Sequence, residues 1–262
     1  MRRRQFVAIA TAGAAFSPLV VRAQKSQARI GLLIAVGQTP EYTASVAAFE
    51  QMLGSRGWKK DENLHIDVRW SAGSPQRTQT VIDEIVALQP DVILGQSEAV
   101  IKALQHSVPK TPIVFVHVAD PVASGIAASL ANPGGNITGF TNTTPSLAAK
   151  WLELLKEVAP STNHAVMIFN PDTAAGRGEV FLKPFLAVGP SMGVATTGAE
   201  VHSALDIEQT LTALGAKPGA GLIAIPDPFL AGHSKEIVAH AQRLRLPAVF
   251  PYRYYAAQGG LM

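Results

Sequence analysis

Cysteine is absent from the 262-residue chain. That excludes disulfides, thiolate metal sites, a cysteine nucleophile and the lipid-modified cysteine that anchors some exported proteins. Charge is sparse as well. Charged residues make up 16% and the formal net charge is +3. Part of that charge is the Arg2-Arg3-Arg4 run, so the remainder of the chain is close to neutral. No basic stripe with interleaved aromatics occurs, which argues against a nucleic-acid partner. No apolar run reaches the ~20 residues of a membrane span. Phosphate-cradling and zinc-protease motifs are missing too: there is no G-x-G-x-x-G after the first strand, no G-x-x-x-x-G-K-[ST] and no H-E-x-x-H. The seven histidines do not group at metal-ligand spacing. His233 and His240 fall seven apart on a helix, a solvated-face pattern. The expectation is a binding protein without catalysis, metal or cofactor.

What is present starts with an export segment over residues 1–23. "MRRRQFV" is a charged opening, Val7 to Val21 is mildly apolar, and Val21-Arg22-Ala23 fits a small-x-small cleavage site before Gln24. Arg3-Arg4-Gln5-Phe6-Val7 resembles the twin-arginine signal of bacteria, with ordinary secretion as the alternative. Either route puts the mature protein outside the cytoplasm, as a free soluble monomer in the periplasm.

Apolar residues make up 47% of the chain, enough for a substantial core. The continuous run "RIGLLIAV" (29–36) suits a parallel strand covered on both faces. A helical pattern follows over 42–56, then the strand "LHIDVRW" (64–70), a helix over 75–88, the strand "DVILG" (91–95), a helix over 98–107 and the strand "TPIVFVHV" (111–118). Such alternation means a parallel sheet wrapped by helices. The pattern restarts with a helix at 146–158 and strands at 164–169, about 194–201, 221–225 and 247–252. Helices are expected over 174–191, 206–214 and 229–244. "DVILGQSEAVIKAL" and "GLIAIPDPFLAGHSKEIVAHAQ" share one grammar of buried strand, polar loop and helix, pointing to two similar α/β lobes. The expected organisation is lobe 1 over 24–120, an interlobe crossover over 121–143 through Asp120-Pro121 and Asn132-Pro133-Gly134-Gly135, lobe 2 over 144–252, and a return toward lobe 1 over 253–262.

In open parallel sheets, ligands sit beyond the carboxyl ends of the strands. Candidate ligand contacts are therefore the residues that follow each apolar run. Gln38-Thr39 and Gln96-Ser97 offer amides, hydroxyls and helix-start N–H groups that suit a ligand carboxylate, while serving equally as helix caps. Asp227, held between two prolines, suits a ligand ammonium, and its removal is expected to change folding little. Asp120 ends a strand at the cleft mouth or simply begins a turn. Phe229 and Tyr252 are candidates to stack on a ligand. His117 ends a strand at the cleft, either lining it or serving structure.

The blocks "RRRQFV…VVRAQ", "VFVHVADPVASGIAASLANPGGNITGF", "KWLELLKEVAP" and "DPFL…LPAVFPYRYYAAQGGLM" together resemble the substrate-binding proteins of ABC transporters, in the branch of uncharacterised or tryptophan/tyrosine-type binding proteins. The resemblance spans nearly the whole chain. It implies a type I periplasmic-binding fold, in which two Rossmann-like lobes close over a small polar ligand, an amino acid or small carboxylate. It also implies an ABC permease in the inner membrane as partner. In amino-acid-binding relatives a carboxylate near Asp227 receives the ligand ammonium. Family members usually continue past "GGLM" with a further strand and helix, which leads one to expect a strand beginning at residues 259–262. An exported α/β hydrolase and a ligand sensor for a membrane receptor are the alternatives.

Overall fold

The computed structural model describes residues 27–261. The export segment and its twin-arginine motif lie outside these residues. The chain forms two α/β units. In the first, β1 (Ala28–Ile34), α1 (Pro40–Gly54), β2 (Leu64–Trp70), α2 (Pro75–Ala87), β3 (Val92–Gln96), α3 (Glu98–Ser107), β4 (Ile113–Val116) and β5 (Ile137–Phe140) build a five-stranded sheet of order β2-β1-β3-β4-β5. In the second, α4 (Leu147–Val158), β6 (His164–Phe169), α5 (Glu179–Val188), β7 (Ala195–Glu200), α6 (Ala204–Gly215), β8 (Ala220–Ala224), α7 (Pro228–Gly232), α8 (Ser234–Arg243), β9 (Ala248–Val249) and α9 (Arg253–Ala257) build a four-stranded sheet of order β7-β6-β8-β9. Every pairing is parallel. This is the two-lobed, doubly wound architecture that the alternating pattern predicts.

The inner strands β1, β6 and β8 bury side chains on both faces, as unbroken apolar runs require, while the edge strands β5 and β7 keep exposed residues, Phe140 among them. Lobe 1 packs Leu33, Ile93 and Ile113 of its strands against Ile82, Ile85, Ile101 and Leu104 of α2 and α3, all at most 1% exposed. Lobe 2 packs Met167, Ile168, Leu222 and Ile223 against Leu152, Leu155, Phe181, Phe185, Ile207 and Ile237, each fully buried. Side chains of this size stabilise by roughly 1.5–3 kcal/mol each when buried, so each lobe has a core of its own. No helix among the described residues is long and apolar enough to cross a membrane.

The structure redraws two boundaries. Residues 137–140, expected within the interlobe crossover, rejoin lobe 1 as β5, in register with β4 from Ile113↔Ile137 to Val116↔Phe140. Gly139 makes this possible, because a Cβ there would lie 2.2 Å from the Phe115 carbonyl oxygen. The chain therefore changes lobes only after Phe140. Residues 253–261, expected to turn back toward lobe 1, instead wind as α9 against lobe 2. Tyr255 is 1% exposed and stacks on Phe250, with ring centroids 4.8 Å apart, and Gln242 Nε2 donates to the Gly259 carbonyl at 2.7 Å. No strand begins at residues 259–261.

Helix boundaries shift as well. The single helix expected over 229–244 divides at His233 into α7 and α8. The helix expected over 174–191 starts only at Glu179. Gly176, Arg177 and Gly178 take left-handed dihedrals (φ 53°, 57° and 88°), and a Cβ on Gly178 would strike the Phe169 ring. The turn is thereby pressed onto β6 and carried toward the other lobe.

Candidate ligand-binding cleft

Each sheet reverses winding direction beside its first strand, between β1 and β3 in lobe 1 and between β6 and β8 in lobe 2. Neighbouring strand ends diverge at such a switch point and leave a crevice. The two lobes close these crevices in matching ways. The Gln96 Oε1 accepts from the Ala35 N–H at 3.0 Å, tying the end of β3 to the end of β1. The Asp227 Oδ2 accepts from the Asn170 N–H at 2.6 Å, tying the end of β8 to the end of β6. The next helix is capped alongside: Ser97 Oγ accepts from Val100 N, and Asp227 Oδ1 accepts from Phe229 N. The shared grammar of the two sequence segments is thus a shared way of bracing a switch point.

The braced ends face each other, and the lobes touch. Tyr42 of lobe 1 meets Tyr254 of lobe 2 edge to face, with centroids 6.4 Å apart, and His117 tilts over Tyr252 at 6.1 Å. The Gly176 N–H donates to Glu98 Oε2 across the cleft at 3.2 Å, while the other oxygen of this buried carboxylate takes Lys102 at 2.7 Å. At Gly73 (φ 70°) a Cβ would sit 3.5 Å from the Phe229 Cα, so the two backbones are close to contact.

Among the described residues, adjoining cavities lie between the lobes, and three of them bear on the site. The central one, about 30 Å³, is walled by Val36, Tyr42, Gln96, Ser97, His117, Pro226, Asp227, Pro228 and Tyr252. It has room for roughly two waters, so a larger ligand enters only if the tyrosines or the lobes part. A chamber of about 140 Å³ lies on one side, with Ser71, Ser74, Thr78, Ser97 and Thr173 set in an apolar wall of Ala35, Val100 and Pro228 and Asp172 at its edge. Here the N-termini of α2 and α3 converge. A second chamber, about 330 Å³, lies on the other side beyond Tyr42 and contains Gln38, Thr39, Glu41, His233, Lys235, Glu236, Tyr254 and Gln258.

The candidate residues distribute unevenly. Gln96, Ser97, His117, Asp227 and Tyr252 come together around the central cavity, and Gln38 and Thr39 line the larger chamber. Asp120 and Phe229 line none of the three. Asp120 Oδ1 caps its own turn by accepting from Ala123 N at 2.9 Å. The Phe229 ring packs on His233, with centroids 4.5 Å apart. Asp227 is largely committed inside its lobe: besides Asn170 N and Phe229 N, Oδ1 accepts from Thr173 Oγ1 at 2.5 Å. Burial pushes its carboxyl up to about 6 against the pull of these donors. Tyr42, Ser71, Ser74, Thr78 and Thr173 were not singled out from the sequence. The signal for two of them, Ser71 and Ser74, is the small-residue loop Ser71-Ala72-Gly73-Ser74, which follows a strand as Gly95-Gln96-Ser97 does.

Electrostatics and strain mark the same surface. Burial raises the hydroxyl pKa of Tyr42 and of Tyr252, keeping both neutral donors at physiological pH. His117 keeps an exposed edge, yet the surrounding lobes desolvate its ring and lower the imidazole pKa, favouring the neutral form. Ala72, Ser97 and His117, each just beyond a strand of lobe 1, have φ of 52°, 81° and 57°. Ser97 with ψ 156° occupies a region otherwise left to glycine, a conformation costing about 1–3 kcal/mol. Among the described residues no cluster of His, Asp and Glu is arranged to hold a metal ion.

Two lobes with their strand ends turned toward one another, cavities at the switch points and polar side chains braced around them define a receptor for a small molecule. The family model for ABC transporter substrate binding protein matches residues 30–262, and the chain belongs to that family. It is 26% identical over 239 residues to a tyrosine-binding protein of Clostridioides difficile, spanning 90% of this chain and 67% of that one. Among solved structures it superposes with a TM-score of 0.79 on an ABC domain from Streptococcus pneumoniae in complex with L-Trp, at 23% identity, covering 90% of this chain and 78% of that one. A Rhodopseudomonas palustris solute-binding protein in complex with benzoate gives a TM-score of 0.62 at 16% identity, covering 89% and 65%. These likenesses place the chain in the type I periplasmic-binding fold, and its relatives are binding proteins, not enzymes.

Proposed function

We propose that the protein is the exported receptor of an ABC import system and captures an aromatic amino acid between its lobes. The observation that carries this reading is the cleft itself, where Tyr42, His117 and Tyr252 gather with Gln96 and Ser97 at the lobe 1 switch point. Neutral aromatic rings suit a flat apolar side chain, through stacked or edge-to-face contacts. The serine- and threonine-lined chamber supplies hydroxyl donors and two helix starts, which suit a carboxylate. Gln38 and Thr39 serve this less well than expected, because Glu41 and Glu236 share their chamber. The ligands of the relatives, tyrosine and L-Trp, fit this combination. Export through the twin-arginine route, delivery to an inner-membrane permease and a monomeric state complete the reading.

A thermal-shift screen of the protein against the proteinogenic amino acids, benzoate, 4-hydroxybenzoate and nucleosides tests it. L-tyrosine, L-tryptophan or L-phenylalanine at 1,000 times its Kd stabilises the folded state by about 4 kcal/mol, a shift of several degrees. Stabilisation by nucleosides alone, or by nothing in the panel, contradicts the reading.

A further inference from the structure

The largest of the three cavities, beyond Tyr42, has unusual walls. Two of its polar atoms are buried: Gln258 Oε1 has no hydrogen-bond partner, and the Tyr254 hydroxyl has only the neighbouring hydroxyls of Tyr42 and Tyr255 to turn to. Buried polar atoms are seldom left unpaired, and one so left costs about 1–3 kcal/mol until it finds a partner. An amide oxygen only accepts, so Gln258 Oε1 calls for a donor; the tyrosine hydroxyl accepts as well as donates. The charged side chains are Glu41 and Glu236 against the single cation Lys235, with His233 Nδ1 2.7 Å from Glu236. The two carboxylates outnumber the one ammonium. Glu41 stays ionised, its carboxyl held below the usual range chiefly by a backbone N–H and then by Thr39.

We propose that this chamber is the ammonium subsite of the ligand, with Glu41, Tyr254 Oη and Gln258 Oε1 as its acceptors. The assignment rests on the reading above that the ligand is an aromatic amino acid. A primary ammonium brings three donors and one positive charge, matching an unpartnered amide oxygen, a tyrosine hydroxyl and an ionised carboxylate. Tyr42 belongs to both this chamber and the central cavity, so a ring beside it has its α-amino group within reach of the chamber. Asp227 is the weaker receiver, because three donors of its own lobe already occupy its oxygens. The acceptors are also divided between lobes, Glu41 on α1 and Tyr254 and Gln258 at α9, so one ammonium engages both only when the cleft is closed. The substrate class that follows is an amine-bearing aromatic, selected against aromatic acids of the same shape that lack the amine.

Calorimetric titration of the full chain with L-tyrosine and with 3-(4-hydroxyphenyl)propanoate, the same molecule without its amine, tests this. The wild type is expected to hold tyrosine about 30-fold or more tighter than the deaminated acid, as for loss of one desolvated charge partner. Glu41→Gln and Tyr254→Phe are expected to weaken tyrosine by about tenfold each while leaving the acid within about threefold. Tyr254→Phe keeps the ring stacked between Tyr252 and Tyr255 and removes only the hydroxyl. Equal wild-type affinity for the two compounds overturns the assignment, as does tyrosine binding unchanged in both variants or equal loss of both compounds. In those cases the receptor reading stands. Binding of neither compound nor of L-tryptophan by the wild type overturns the assignment together with that reading.

Discussion

Asp227→Ala is expected to be a stability variant. In the wild type this 4%-exposed carboxylate accepts from Asn170 N, Thr173 Oγ1 and Phe229 N, joining β8, the loop after β6 and the start of α7. Truncation leaves three donors, each worth about 1–3 kcal/mol if it stays buried and unpaired. Against this stands relief from holding a desolvated charge. A carboxyl pushed up from 3.8 to about 6 disfavours the folded state by roughly 3 kcal/mol once ionised. The net loss expected at pH 7.5 is about 2–4 kcal/mol, which for a lobe of this size lowers Tm by roughly 8–15 °C. The pH dependence carries a definite sign. A carboxyl whose pKa is higher folded than unfolded contributes stability that is fully present below the unfolded value of 3.8. That contribution is lost as pH rises through about 6. The gap between wild type and Asp227→Ala should therefore widen from pH 7.5 to pH 5. Scanning calorimetry of both proteins at the two pH values is the assay. Melting within about 2 °C of wild type at both, or a gap that narrows on acidification, would refute the bracing role.

Further outcomes follow from the same geometry. Ser97→Gly should relieve the dihedral strain of about 1–3 kcal/mol at the cost of a few tenths for the cap, raising Tm by several degrees while weakening ligand binding, as thermal melts and titration would show. Glu98→Ala should remove the tie to Gly176, enlarging the ligand-free radius of gyration in small-angle scattering and lowering ligand affinity about threefold to tenfold. Gly139→Ala forces a Cβ onto the Phe115 carbonyl and should release β5, seen as faster amide exchange at residues 137–140. Arg3→Lys with Arg4→Lys should hold the precursor in the cytoplasm if the twin-arginine route is used; normal export of the double variant points to the general secretory route.

Much of this architecture was legible in the sequence because parallel strands buried on both faces read as unbroken apolar runs. "LHIDVRW" and the helix from Glu98 to Ser107 have the ends expected of them. Lobe membership was harder to read, since it depends on pairing partners far along the chain. Nothing local in "NITGF" says that it rejoins β4; the clue is a glycine whose need shows only once Phe115 is in place. The cleft was legible to the same degree. Strand-end position found Gln96, Ser97, His117, Asp227 and Tyr252, because topology alone puts strand ends at the switch points. It missed Tyr42, which lies on a helix face, and assigned Asp227 to the ligand where internal donors take up its oxygens. Side-chain commitments of that kind arise from tertiary contacts between segments more than fifty residues apart, which periodicity does not encode.

The most direct test of the account is calorimetric titration of the full chain with L-tyrosine and L-tryptophan, beside Tyr42→Ala and Tyr252→Ala. The account predicts one site per chain, a Kd at or below the micromolar range for at least one of the two, and a loss of about tenfold or more in each variant. Saturable binding unchanged in both variants, or no binding of either amino acid to the wild type, would contradict it.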